Sequence, residues 1–186
     1  MLLCALLGLA PPYPTDASAA PAPGPALAPA PVRAARRELD RAQAQLQQSI
    51  LTLEAGAAPQ ILREPDRLVW RVPARLLFDP ESTIPREDAS ARALLMAARQ
   101  LLRKRTRIAG QIQVFTDGIG GGDANLQFSQ RRAEALLAWL TEEGVSPTRL
   151  RAAGRGATAP LASDDAPEGR MANRRVEFVF EPEPAA

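Results

Sequence analysis

The 186-residue chain contains no histidine and a single cysteine, Cys4. Without histidine it has no imidazole ligand for zinc, and no Ser–His–Asp or Cys–His catalytic arrangement is possible. One thiol cannot form an internal disulfide, so cysteine usage does not report the redox compartment. Aromatic residues make up only 4% of the chain, so its core must be mainly aliphatic. Neither sign of charge dominates: 23 Lys and Arg against 21 Asp and Glu give a net charge of +2. That balance is too mild to argue for nucleic acid, and the arginines are spread along helices without aromatic interleaving. What is present is 46% hydrophobic content, enough for one ordinary domain with extensions. Eighteen prolines are unevenly placed and concentrated near the start, which indicates a tail rather than a second fold. No internal repeat is visible.

Met1–Ala10 (MLLCALLGLA) is an apolar run about half the ~20 residues a membrane-spanning helix requires. It suits the apolar segment of a secretory signal, with Ala17-Ser18-Ala19 as the cleavage site, so residues 1–19 are expected to be a signal peptide. The basic segment that normally precedes such a run is missing. A lipidated cysteine would close the apolar run after a small residue, whereas Cys4 follows Leu3 inside it. Residues 20–32 are alanine and proline without pattern and read as a semi-extended linker. Val32, Leu39, Leu46 and Leu53 recur at sevens, with Ile50 between the last two. The spacing predicts an amphipathic helix over 33–58, ended by Gly56 and Pro59. Its stripe could pack on the following domain, or meet a second copy or an envelope partner.

Leu68–Val72 predicts a strand, bounded by Pro73. Pro85 fits a helix start, and the stripe Ala91, Leu94, Leu95, Ala98, Leu101, Leu102 carries that helix to about Lys104. Gln111–Phe115 alternates polar and apolar as the end of a second strand. A glycine loop, Gly118 to Gly122, leads into a second helix that Asp123 or Asn125 could cap. Leu150–Gly154 reads as a short strand, 155–172 as a loop, and Val176, Phe178 and Phe180 alternate as a last strand.

The second helix carries an anomaly. At ~100° per residue, Leu126, Ala133, Leu137 and Leu140 form one apolar stripe, and Phe128 and Trp139 form another. Between them runs Asn125, Ser129, Arg132, Leu136, which places three polar residues inside an arc that should be buried. Arg131 falls on the solvated side with Glu134. An inward arginine needs a partner, and the nearest candidate in sequence is Asp117, across the glycine loop. The pair could be a structural ion pair, or a clamp shared with a ligand that carries an ammonium and a carboxylate on one carbon.

Thr116, Asp117, Gly120, Asn125, Phe128, Ser129, Arg132 and Ala133 stand in the register T-D-x-x-G-x-x-x-x-N-x-x-[LF]-S-x-x-R-A. This resembles the OmpA-like peptidoglycan-binding domain. Leu77-Phe78-Asp79 and the closing Gly169-Arg170 and Asn173-Arg174-Arg175-Val176 resemble the same family. One departure stands out: Phe115 occupies the place of the family's usual His. The resemblance covers roughly 68–180. It implies an α/β (α+β) two-layer sandwich over 66–182, a β-α-β-α-β-β mixed sheet with helices on one face, preceded by the linker and the amphipathic helix. It also implies a non-catalytic, cofactor-free and metal-free module that binds the diaminopimelate of the wall's stem peptide. Asp117 would take the ammonium and Arg132 the carboxylate. Gly118 and Gly120 would offer backbone N–H groups. Asn125 and Ser129 would hold the loop or reach the ligand, Thr116 would orient the loop, and Asn173 and Arg174 would line the far wall. The resemblance places the protein in the periplasm, associated with the outer membrane and cell wall.

Two rival readings differ in class. A glycine loop before a helix can cradle phosphate, but GIGGGDAN lacks the G-K-[ST] ending and Asp117 would repel the anion. A helix-mediated scaffold whose C-terminal domain no longer binds the wall is the other. The export reading makes the first prediction: the mature protein begins after residue 19. N-terminal sequencing of envelope material checks it, and an intact Met1 there would reject it.

Overall fold

The computed structural model describes residues 30–50 and 59–183. The proposed signal, most of the linker, the end of the first predicted helix and the extreme C-terminus lie outside the described residues. The elements, in order, are α1 (Ala30–Ile50), β1 (Gln60–Arg63), β2 (Leu68–Pro73), α2 (Ala89–Lys104), β3 (Ile108–Phe115), α3 (Gly122–Glu142), β4 (Leu150–Gly156), α4 (Pro167–Asn173) and β5 (Arg175–Pro182). Single 3-10 turns precede β4 and follow β2.

Five strands form one open mixed sheet in the order β1-β2-β5-β3-β4. Only β3 and β4 run parallel; the other neighbours are antiparallel. The α/β class and the mixed sheet agree with the expectation from sequence. Alternation along the strands sends Leu68, Trp70, Val72, Ile112, Val114, Val176, Phe178 and Phe180 to one face, where they meet the helices in a single core. Trp70 and Phe178 lie ring to ring at 5.4 Å. The other face carries a polar lattice. Glu177 accepts from Arg71 Nε (2.9 Å) and Arg175 Nε (2.8 Å), and Gln113 accepts from Arg155 Nε (3.2 Å).

Several elements differ from the sequence expectation. Helix α1 starts at Ala30 rather than residue 33, with Pro31 in its first turn, where its missing N–H has no intrahelical role. Strand β1 was not predicted: four residues between Pro59 and Pro65 are too short to show a period. Helix α2 begins after Asp88, not at Pro85; Asp88 Oδ1 accepts from Ser90 N (3.0 Å) and Ala91 N (3.1 Å), an N-cap in ordinary form. Pro85 bridges to Phe78 instead. Neither Asp123 nor Asn125 caps α3; Gly121, at φ 92°, holds that position. Helix α4 lies within the stretch expected to be loop. Leu126, expected on the buried stripe, is 49% exposed. The end of α3 is set by a glycine. Gly144, at φ 84°, follows the helix, with Val145 N bonded to Leu140 O (3.0 Å) and Gly144 N to Thr141 O (2.9 Å), the pairing of a Schellman cap.

The apolar stripe of α1 packs on the domain. Leu39, Ala42 and Leu46 are fully buried in the common core, and Arg105 reaches Glu38 Oε2 (3.1 Å) from the end of α2. Over the described length, no apolar seam is left for a partner helix. Leu46→Ala is therefore expected to destabilise the protein by about 2–5 kcal/mol. The exposed neighbour change Gln47→Ala should stay within about 0.5 kcal/mol. Urea unfolding of both variants checks the pair.

Candidate functional site

At one end of the sheet, β3 runs into the glycine loop and α3 begins. The turn after β2, this loop, the first half of α3 and the end of α4 enclose a cavity of about 890 Å³. Its lining includes Phe78, Asp79, Glu81, Thr116, Asp117, Gly120, Asn125, Phe128, Arg131, Arg132 and Arg174.

Arg132 enters from α3 and is 6% exposed. Its Nε donates to Ser82 O (2.7 Å) and its Nη2 to Asp79 O (2.9 Å). Its guanidinium lies between two rings, 4.6 Å from the centre of Phe78 and 4.3 Å from that of Phe128, both within cation–π range. Among the described residues no carboxylate pairs with it. Burial, and then the neighbouring charge of Arg174, push this guanidinium down to about 10. The fork is thus held in position by neutral groups while its charge is left uncompensated.

The expected Asp117–Arg132 ion pair is absent. Asp117, 8% exposed, pairs instead with Arg174 Nη1 at 2.5 Å, and its Oδ1 accepts from Ile119 N (3.2 Å). The physical reason is placement: Arg174 caps α4 and comes over the loop from the far side, while Arg132 is held back by the carbonyls of the Asp79–Ser82 turn. That turn closes through Ser82 N to Asp79 O (3.2 Å), with Pro80 second and Glu81 third at φ 60°. A left-handed third position usually belongs to glycine, so Glu81 is held there at a conformational cost.

The remaining residues named from sequence divide into two groups. Thr116, Gly120, Asn125 and Arg174 line the cavity with Asp117 and Arg132. Asn125 Nδ2 donates to Asp117 O (3.1 Å) and Ile119 O (2.9 Å), and so ties the loop to the helix. The Thr116 hydroxyl is buried without a hydrogen-bond partner among the described residues; only its backbone N–H is anchored, to Gly156 O (2.9 Å). Gly118, Ser129 and Asn173 lie outside the lining. Gly118 N donates to Asp164 Oδ2 (2.8 Å). Ser129 Oγ donates to Leu126 O (2.9 Å) and accepts from Gly156 N (2.9 Å), which fastens α3 to β4. Asn173, 1% exposed, accepts from Leu161 N (2.7 Å) and Ala162 N (3.1 Å) and donates to Asp164 Oδ1 (2.8 Å). Gln130 supports the same seam: its Oε1 accepts from Gly154 N (2.7 Å). A Cβ at Gly154 would lie 2.2 Å from the Gln130 backbone nitrogen, so only glycine permits this approach.

Arg131 is exposed, as its place on the helix predicted, yet it lines the cavity rim rather than facing away from it. Phe115, in the place of the family's histidine, is 4% exposed. Its ring lies 3.7 Å under the Arg175 guanidinium, so an apolar platform replaces a polar group there. The site members missed from sequence are Phe78, Phe128 as an arginine-stacking ring, the Asp79–Ser82 turn and Asp164. The polar row of α3 pointed to a buried arginine, but nothing in the spacing marked two backbone carbonyls as its acceptors.

A family profile described as OmpA family matches residues 77–174. An Escherichia coli (strain K12) protein named as a probable lipoprotein, YiaD, is 32% identical over 127 residues, covering 68% of this chain and 57% of its own length. The chain therefore spans little more than half of that relative. Among solved structures, a protein described as MotB-like from Desulfovibrio vulgaris superposes with a TM-score of 0.69 at 26% identity, covering 83% of this chain and 94% of that one. The cell wall anchor of the T6SS from Pseudomonas aeruginosa superposes with a TM-score of 0.62 at 26% identity, covering 78% and 97%.

The two arginines of α3 should separate in stability. Arg132→Lys keeps a charge but loses the planar fork and the ring stacking. It is expected to cost about 1–3 kcal/mol, the price of orphaned buried acceptors. Arg131→Ala should stay within about 0.5 kcal/mol. Thermal or urea unfolding of the two variants decides; equal losses would mean that Arg132 is not the buried fork described.

Proposed function

Because this chain belongs to the OmpA family, we propose that it is a non-catalytic envelope module that grips peptidoglycan, and that the cavity holds the free end of a diaminopimelate side chain in the stem peptide. The observation that carries this reading is Arg132: a buried guanidinium held by two carbonyls and two rings, with no carboxylate of its own among the described residues. A ligand carboxylate would complete it. Charge-assisted bonds from a fixed guanidinium are among the stronger polar contacts a site can offer, and the two carbonyls have already fixed its orientation.

The ligand's ammonium belongs with Asp117, the one cavity carboxylate that is nearly buried. Its Oδ1 accepts only a 3.2 Å backbone bond, and a carboxylate has about four acceptor sites. The Thr116 hydroxyl, without a hydrogen-bond partner among the described residues, would complete its own bonding on the ligand or on a bridging water. The N–H groups of Gly118 and Ile119 already serve Asp164 and Asp117; these two amides shape the loop rather than bind the ligand. Neither charge turns over, so the module recognises and holds. The likeness to a solved cell wall anchor supports the same assignment, together with a place in the periplasm against the wall.

Diaminopimelate differs from lysine in the carboxylate beside its terminal amine. Without that carboxylate, Arg132 would be desolvated without gaining a partner, at about 2–5 kcal/mol, which is more than tenfold in affinity. The wild type is expected to prefer diaminopimelate-type stem peptides. Arg132→Ala should erase most of that preference, and Asp117→Asn should weaken both peptides. Calorimetric titration of the three proteins with the two stem peptides tests this, and equal wild-type affinities would reduce Arg132 to a structural role.

A further inference from the structure

In the free protein, the position proposed for the ligand's ammonium is already partly filled. Arg174 Nη1 sits 2.5 Å from Asp117 Oδ2. The Arg174 side chain is 47% exposed and the Asp117 side chain 10%. Among the described residues, Asp117 is the only hydrogen-bond partner of that side chain. A half-exposed guanidinium with one tie can move; a nearly buried carboxylate cannot. Arg174 also lies close enough to Arg132 to depress its charged form, and both arginines line the cavity with Asp117.

The geometry points to Arg174 as the specificity-determining residue of the cavity, an internal competitor for Asp117 that only a ligand with both an ammonium and an adjacent carboxylate can displace. This rests on the wall-binding reading above. The argument is an exchange of ion pairs. An alkyl ammonium alone would replace Arg174 on Asp117 one for one. It would gain no ion pair and would leave Arg132 and the released Arg174 uncompensated at its side. An ammonium with a carboxylate on the same carbon also replaces Arg174, but its carboxylate then meets Arg132, and the released Arg174 remains beside an anion rather than beside another cation. Arg174 therefore raises the threshold for simple amines and leaves the zwitterion nearly unaffected. Discrimination against lysine-type ends comes from two residues: Arg132 rewards the carboxylate, and Arg174 rejects its absence.

The experiment uses the full chain and the same two stem peptides, diaminopimelate-type and lysine-type, titrated into the wild type, Arg174→Gln and Arg174→Lys. Arg174→Gln is expected to raise the affinity for the lysine-type peptide about three- to fivefold, the scale of a half-exposed ion pair, with a smaller change for the diaminopimelate type, so that the preference narrows. Arg174→Lys keeps a competing cation and should retain the wild-type preference; it also serves should the Gln variant fold poorly. A loss of diaminopimelate-type affinity in Arg174→Gln with the lysine type unchanged would overturn the inference and make Arg174 a direct ligand contact. So would an unchanged preference in Arg174→Gln, or a Lys variant that behaves as the Gln variant does. Equal wild-type affinities are a different result: they reduce Arg132 to a structural role and remove the inference with it, whereas a wild type that binds neither peptide removes the wall-binding reading itself.

Discussion

Burying the Arg132 guanidinium removes a full charge from water, and no carboxylate in the described chain compensates it. Much of this end of the molecule is arranged to make that burial tolerable. Phe78 and Phe128 supply faces for the cation. The Asp79–Ser82 turn supplies two carbonyls, even though Glu81 must adopt a left-handed φ for the turn to close. The turn is fixed in its own right: Asp79 pairs with Arg86, and Arg86 with Asp88, the cap of α2. The position of one side chain on α3 is thereby tied to the start of a different helix.

The opposite wall is fixed by a separate set of bonds. Asn173 holds the backbone of Leu161 and Ala162 and orients Asp164, and Asp164 in turn holds Gly118. Asn125 holds the same loop from α3. The glycine loop is thus restrained from two sides before any ligand arrives, which lowers the ordering entropy that binding must overcome. Arg174 is more lightly held: its half-exposed side chain has one hydrogen-bond tie among the described residues.

Much of the fold was legible because it rests on local periodicity. The alternation from Gln111 to Phe115 and the stripe from Ala91 to Leu102 each follow from pattern alone, and each appears where the pattern put it. β1 and α4 were illegible for a common reason: at four residues of strand and seven of helix, neither exceeds two periods of its own pattern. The row Asn125, Ser129, Arg132 was read correctly as inward, with Ser129 and Arg132 buried and Asn125 half-buried. What the row could not supply was the partner. Helical spacing fixes a direction from the axis, not the identity of what waits there, and the nearest acid in sequence was not the acceptor in space. Leu126 shows the same limit: it lies on the expected stripe, but near the end of the helix, where little of the core reaches it.

The position of β5 has a consequence for when this fold can form. β5 comes after every other element in the chain, yet it lies in the middle of the sheet, between β2 and β3. Arg71 and Glu177, bonded across β2 and β5, are 106 residues apart in sequence. Without β5, β2 and β3 have no strand between them, and the parallel pair β3–β4 has no further strand beside it. Contacts of such long range close late and slowly. A ribosome-bound chain that lacks its last strand therefore has no complete sheet to form until synthesis has passed residue 182. The topology acts as a timer: the domain matures only after its last strand has been made.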